Sequence, residues 1–323
     1  MKTRITELLG IQYPIVEGGM QWVGRAELAA GVSNAGALGM VTARTLPSPD
    51  DLRREIDRTR ALTDKPFGVN LTLSFAVKGV DYTSWVDAII DSGVQVVETA
   101  GNNPAPVIGR LKEHGIKVIH KCTSVRHALS AERYGADVIS IDGFEAAGHP
   151  GEDDVPVLVL LPAVRRQLKV PVIASGGIFD GRGLAAALVL GADGINMGTR
   201  FMLTQESAIH DDTKRALLAA SERDTTLIKR TLKHTARFFK NPVADEIVAL
   251  ERRPGGATYE DLQHLLAGAR GRTAMLSGQV DDGLICASQV IGLIEDLPSC
   301  AELIASMVAD CRAALGGALD AFN

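Results

Sequence analysis

The sequence predicts an α/β protein: a (β/α)8 barrel of the TIM type, with a helical second domain inserted after the eighth strand. Three observations predict it. Eight short apolar runs occur before about residue 200, their starts roughly 20–35 residues apart, the length of one βα unit. Between them lie segments with apolar residues on one helical face. The last two runs, one helix apart, both end in glycine and a hydroxyl residue. An open doubly wound sheet would more often use fewer strands. No G-x-G-x-x-G follows a strand and no G-x-x-x-x-G-K-[ST] occurs, which argues against Rossmann and P-loop domains.

In chain order the runs are Pro14–Val16, Leu38–Thr42, Phe67–Leu73, Val94–Thr99, Lys117–His120, Val138–Ile141, Val172–Ala174 and Gly194–Met197. The helical segments are Arg25–Ala35, Pro47–Thr63, Tyr82–Ser92, Pro104–His114, Val125–Tyr134, Val157–Leu168 and Gly181–Leu190. Several end in glycine before the next strand (Gly93, Gly115, Gly135, Gly191), the residue that best tolerates a left-handed helix stop.

After Arg200 the pattern changes. Residues 207–282 read as a helix-rich cap without buried strands, and residues 283–323 as helices returning to a barrel formed by residues 1–206. The returning helices are Leu284–Ile294 and Cys300–Leu315. In the cap, Lys229, Arg230, Lys233, His234, Arg237 and Lys240 are spaced like a solvated helical face.

A barrel of this type takes about 250 residues, and the chain has 323, so one large domain plus an insertion fits. A net charge of −5 and an aromatic content of 4% argue against a nucleic-acid partner. Cys122, Cys286, Cys300 and Cys311 form no C-x-x-C pair, as expected of reduced thiols in the cytoplasm. The N-terminus reads as fold sequence with no signal peptide, and no apolar run reaches the roughly 18 residues of a membrane span. A homodimer is compatible with the sequence, which leaves the oligomeric state open.

Chemistry in such a barrel sits at the C-terminal strand ends. Ser175, Gly176 and Gly177 after the seventh strand, and Gly198 and Thr199 after the eighth, offer hydroxyls and uncrowded N–H groups to a phosphate. Either half alone could be an ordinary turn; the tandem favours phosphate. Gly18-Gly19-Met20 after the first strand would admit a flat ring against backbone and thioether. Asn70 could meet an imide edge, and Lys121 could put positive charge beside a reduced flavin. Phosphate, ring edge and cation together suggest flavin mononucleotide (FMN). Taken singly, Lys121 could be a salt bridge, Asn70 a turn residue and Met20 core. His149, in the loop A-A-G-H-P-G after the sixth strand, is the catalytic candidate, able to donate to an oxyanion or take a proton. Glu152-Asp153-Asp154 reads as solvated charge or a helix-start signal. No metal pattern and no G-x-S-x-G elbow is present.

The chain resembles the nitronate monooxygenase family, formerly 2-nitropropane dioxygenases. The resemblance rests on G-G-M-Q-W-V-G-R-A-E (18–27), G-V-N-L-T-L (68–73), V-E-T-A-G-N (97–102) and H-K-C-T-S-V-R-H-A (120–128). It continues through D-G-F-E-A-A-G-H-P-G-E-D-D (142–154), A-S-G-G (174–177) and G-A-D-G-I-N-M-G-T-R-F (191–201). The fuller motifs look most like the bacterial NADH:quinone reductase branch. The resemblance implies FMN held by Gly19, Met20, Gln21, Asn70, Lys121, Gly148, Ser175, Gly176, Gly177, Gly198 and Thr199, with His149 on the substrate side. It implies a ping-pong flavoprotein that takes two electrons from NADH and passes them to a quinone, NADPH remaining open as donor. The alternative within the family is a nitronate monooxygenase, which uses O2 to turn nitronates into carbonyl compounds and nitrite. More remote are a flavin enoyl-acyl-carrier-protein reductase and a non-catalytic phosphate-binding barrel.

Overall fold

Eight parallel strands succeed one another around a barrel: β1 (Ile15–Glu17), β2 (Gly39–Thr42), β3 (Phe67–Leu73), β4 (Val96–Gly101), β5 (Lys117–Cys122), β6 (Val138–Asp142), β7 (Val172–Ser175) and β8 (Gly194–Met197). The computed structural model describes residues 1–73 and 81–322. Helices α1 (Arg4–Leu9), α2 (Ala26–Asn34), α3 (Pro49–Leu62), α4 (Tyr82–Asp91), α5 (Ala105–Glu113), α6 (Val125–Arg133), α7 (Val157–Arg165) and α8 (Gly181–Val189) precede or separate the strands. Ser48, Asp81, Ser124 and Asp180 each accept a hydrogen bond from an N–H of the first turn, which starts α3, α4, α6 and α8.

The circle closes between β1 and β2 by one parallel bridge, Val16↔Leu38. Glu17 N–H donates to Leu38 O at 2.9 Å, and Leu38 N–H to Ile15 O at 3.0 Å. Beyond this the strands diverge, and a side chain replaces the ladder: Met40 N–H donates to Glu17 Oε2 at 2.9 Å. Alternation along each strand sorts the core. Val16, Leu38, Met40, Val96, Ile119, Val138 and Ile173 point inward and meet Ile5 and Leu9 of α1, which stoppers the N-terminal end. Ile15, Val41, Val69, Val97, Ile139 and Ile195 point outward to the helices.

After β8 come α9 (Thr199–Met202), α10 (Asp211–Leu218), a two-stranded antiparallel sheet β9 (Thr225–Ile228) and β10 (Ala236–Phe239), α11 (Pro242–Glu251), α12 (Tyr259–Leu262) and α13 (Gly268–Ser277). Ile228, Val243, Ile247, Leu250, Ala257, Leu262 and Leu265 make a separate apolar cluster there. Two sequence expectations change here. The basic residues from 229 to 240 do not line a helix; they lie in and around the β9–β10 connection, and Arg237 is buried. Residues 284–294 are extended chain and then a 3-10 turn, Gln289–Leu293. Polar anchors hold that segment against the barrel: Ser288 N–H donates to Thr199 Oγ1 at 3.0 Å, and Ser288 Oγ to Glu145 O at 2.6 Å. The last helix, α14 (Cys300–Asp320), packs on α8 and α2 and completes the outer ring. It lies so close that a Cβ on Gly181 would be 2.3 Å from Met307 O.

Candidate active site

The inward positions change from apolar to polar at the C-terminal end of the barrel, and Glu98 on β4 is the hub of that layer. Its Oε1 accepts from Gly19 N–H at 3.0 Å and Asn70 Nδ2 at 2.8 Å, and its Oε2 accepts from Asn196 Nδ2 at 2.8 Å. Hydrogen bonds to a charged acceptor are the stronger kind, and here they fix the path of the loop after β1. Asn70, expected at a ring edge, is buried beneath Gly19. A Cβ on Gly19 would lie 2.1 Å from Asn70 Cγ, and Asn70 Oδ1 also accepts from Thr72 Oγ1 at 3.1 Å. Met20 N–H is held by Thr42 Oγ1 at 3.0 Å.

Lys121 reaches up beside this loop, its Nζ 3.6 Å from Asp142 Oδ1. A Cβ on Gly18 would come within 3.4 Å of that Nζ and 2.5 Å of Asn196 Oδ1. Desolvation would lower the Lys121 pKa, but Asp142 and Glu98 outweigh it, so the net shift is upward and the charge is retained. Ser140 Oγ, Asp142 Oδ1 and Asn196 Oδ1 are buried without a hydrogen-bond partner among the described residues.

The strand ends expected to bind phosphate lie side by side, with Ser175 paired in register with Asn196. Gly176 and Gly177 follow with φ of 87° and 73°. That left-handed backbone is one a side chain resists, and a Cβ on Gly176 would press to 3.0 Å on Ala146. Gly198 meets Met20: a Cβ there would be 3.5 Å from the Met20 sulfur. Thus Gly19, Met20, Lys121, Ser175, Gly176, Gly177, Gly198 and Thr199 frame one end of the barrel, with Asn70 as the post under Gly19. The left-handed glycines after β7, a retained cation and an orphaned carboxamide oxygen fit an anionic cofactor such as FMN.

Two other candidates fall elsewhere. Gln21 is exposed, and its Nε2 would be 3.8 Å from a Cβ on Gly268, the first residue of α13. The neighbouring Trp22, at φ 70°, takes the Arg272 guanidinium over its ring, 5.3 Å from the centroid. Gly148 is bonded to the cap: its N–H donates to Arg237 O at 3.1 Å and its carbonyl accepts from Arg237 N–H at 2.6 Å.

This link brings His149 against residues that the sequence reading assigned to a solvated helix. Lys229 Nζ is 3.0 Å from His149 Nε2 and 3.3 Å from His234 Nδ1. The two imidazole centroids are 4.4 Å apart. His149 has solvent on one side and protein on the other; desolvation, then Lys229 and His234, push its pKa down to about 3. Positive charge on Lys229 or His234 disfavours a second charge on His149. Desolvation lowers Lys229 and His234 too, the latter helped by Lys229. The acidic triplet is not simply solvated. Glu152 accepts from Thr235 N–H at 2.7 Å and Thr235 Oγ1 at 2.6 Å, and Asp154 pairs with Arg230 at 3.0 Å. Lys229, His234 and Ser288 were thus missed as site residues. The β-branched and aromatic residues in Thr225–Ile228 and Ala236–Phe239 were the available sign of a hairpin there.

The chain matches the family model described as nitronate monooxygenase over residues 2–310. A Rhodococcus jostii protein named (3aS,4S,5R,7aS)-5-hydroxy-7a-methyl-1-oxo-octahydro-1H-indene-4-carboxyl-CoA dehydrogenase is 34% identical, with 96% of each chain covered. A probable nitronate monooxygenase of Staphylococcus saprophyticus is 35% identical, covering 75% of this chain and 79% of its own. Among solved structures, FabK from Thermotoga maritima is 38% identical with TM-score 0.92 over the whole of both chains. A nitroalkane oxidase from Streptomyces ansochromogenes is 29% identical with TM-score 0.80, covering 96% of this chain and 99% of that one.

Proposed function

The chain belongs to the nitronate monooxygenase family and is an oxidoreductase, and from that premise we propose that it binds FMN and uses NADH or NADPH to reduce a conjugated carbonyl compound, a quinone being the expected acceptor. The observation that carries the proposal is the meeting of His149, Lys229 and His234 at the end of the barrel that holds the glycine-framed cradle. Bound FMN would supply the two-electron chemistry. The residues of the chain would do the rest. Gly18 and Gly19 let the loop after β1 settle onto Asn196 and Asn70, and Lys121 would offer the cofactor a fixed positive charge. Ser175, Gly176, Gly177 and Thr199 hold the phosphate. A carbonyl oxygen gaining negative charge needs preorganised donors. His149 as a neutral imidazole donates one N–H, and the nearby Lys229 supplies favourable charge.

A second acceptor of the same chemistry is an α,β-unsaturated acyl-CoA thioester, the oxidised partner of the acyl-CoA that a dehydrogenase would consume. It is favoured by the Rhodococcus jostii relative, named as a carboxyl-CoA dehydrogenase and aligned over nearly its full length. The test is anaerobic mixing of the purified protein with NADH, NADPH or propionate 3-nitronate, followed by a quinone or crotonyl-CoA. Bleaching of a yellow protein by a nicotinamide, and recovery with a carbonyl acceptor, is expected. Bleaching by the nitronate alone would replace the proposal with the monooxygenase reading. A colourless protein that takes up no FMN would end both.

A further inference from the structure

We propose that Lys229 is the positioning residue that fixes His149 as a neutral imidazole carrying its proton on Nδ1. An ammonium has only hydrogens to offer. At 3.0 Å from Lys229 Nζ, the Nε2 of His149 must be the acceptor, so the proton of the neutral ring sits on the other nitrogen. By the same argument His234, whose Nδ1 is 3.3 Å from the same Nζ, carries its proton on Nε2. One cation therefore sets two rings in opposite tautomers. Its catalytic meaning rests on the functional reading above, because a fixed Nδ1–H makes His149 a directed donor to a developing oxyanion.

The cap holds Lys229 firmly enough for this task. Its backbone is left-handed at φ 61°, a conformation uncommon outside glycine. Glu251 of α11 braces that turn, accepting from Lys229 N–H through one oxygen and from Thr231 N–H through the other, both at 2.9 Å. Glu152 clamps Thr235 at the far side of the connection. The charged or titratable groups facing Lys229 are His149 and Glu152 from the loop after β6, His234 from its own hairpin, Glu251 from α11 and Cys286 from the extended segment after α13. Desolvation lowers the Lys229 pKa overall, and Cys286, Glu152 and Glu251 oppose that shift in favour of the ammonium.

The test is long-range 15N–1H correlation on the FMN-loaded full chain with 15N-labelled histidine. His149 is expected to show a pyridine-type Nε2 and a pyrrole-type Nδ1, and His234 the reverse. In Lys229→Met the His149 titration moves up by about one unit or more and the tautomer preference is lost; Lys229→Arg keeps both. Turnover falls about tenfold or more in Lys229→Met with KM for the nicotinamide little changed, and Lys229→Arg restores part of it. An Nε2-protonated His149 in the unaltered protein would overturn the proposal whether or not any variant folds. So would a Lys229→Met protein with the same tautomer and titration. The expected tautomers in a protein that reduces no carbonyl acceptor would instead sink the functional reading and leave this one standing.

Discussion

Replacing Glu98 by Gln removes the charge at the hub of the polar layer while keeping its shape, and the structure indicates why that change is tolerable. In Glu98→Gln the amide oxygen can keep Gly19 N–H and Asn70 Nδ2, both of which meet Oε1. The new NH2 then faces Asn196 Nδ2, donor against donor. Asn196 can resolve the clash, because its Oδ1 is buried with no partner and a flip of the amide presents that oxygen to the new donor. All three contacts then survive as neutral hydrogen bonds. A hydrogen bond to a charged group contributes about 1.5–3 kcal/mol and a neutral one about 0.5–1.5, so three bonds lose about 3 kcal/mol in all. Relief from burying a charge offsets part of this, but the flip leaves Asn196 Nδ2 buried without an acceptor, so the net loss stays at about 3 kcal/mol. Glu98→Ala gives no such repair: three donors lose their acceptor at about 1–3 kcal/mol each, or about 5 kcal/mol together. Urea unfolding of the two variants beside the parent protein measures the difference. Equal losses in Gln and Ala would refute the amide flip, and no loss in either would refute Glu98 as the hub.

Other outcomes follow from neighbouring residues. Burial, with a smaller push from Glu98, raises the Glu17 pKa well above its ordinary 4.5 despite the bond from Met40 N–H. The unfolded chain therefore ionises first, and the parent protein loses stability as pH rises above 4.5, by up to about 1.4 kcal/mol per unit until the folded group also ionises. Glu17→Gln lacks that slope, so its melting temperature should gain on the parent between pH 5 and pH 8; a constant gap would contradict the buried-acid account. Gly19→Ala drives a methyl into Asn70 and should weaken FMN binding about tenfold or more, read from the 450 nm to 280 nm absorbance ratio on titration. Full retention of flavin would show that the loop is not the cradle. Glu152→Ala frees Thr235 and should open the 229–235 connection to trypsin, whereas Asp154→Ala, which breaks an exposed pair, should not. Equal cleavage in both would remove Glu152 as the clamp.

The barrel was legible because burial on both faces writes strands as apolar runs, and β3 and β8 coincide with the runs read for them. The glycine stops were legible for a similar reason: Gly93, Gly115, Gly135 and Gly191 all take positive φ. The cap was harder. Lys229 takes a left-handed turn without being glycine, so the residue that most defines the connection gives no local sign of it. Residues 284–294 look helical because Ile285, Val290, Ile291 and Ile294 are all buried, but the bonds from Ser288 to Thr199 and Glu145 decide their path, and those partners are distant in sequence. Asn70 reads as a partner for an imide edge because nothing local reveals that Gly19 would lie on top of it.

The paired backbone bonds between Gly148 and Arg237 join two stretches separated in the chain by α7, β7, α8, β8, α9, α10 and β9. Inheritance must therefore treat the 145–154 loop and the 225–239 hairpin as one unit. A substitution in either that alters its docking moves the imidazole relative to the ammonium, so tolerated changes should come in matched pairs. Across relatives this should appear as covariation between the two stretches.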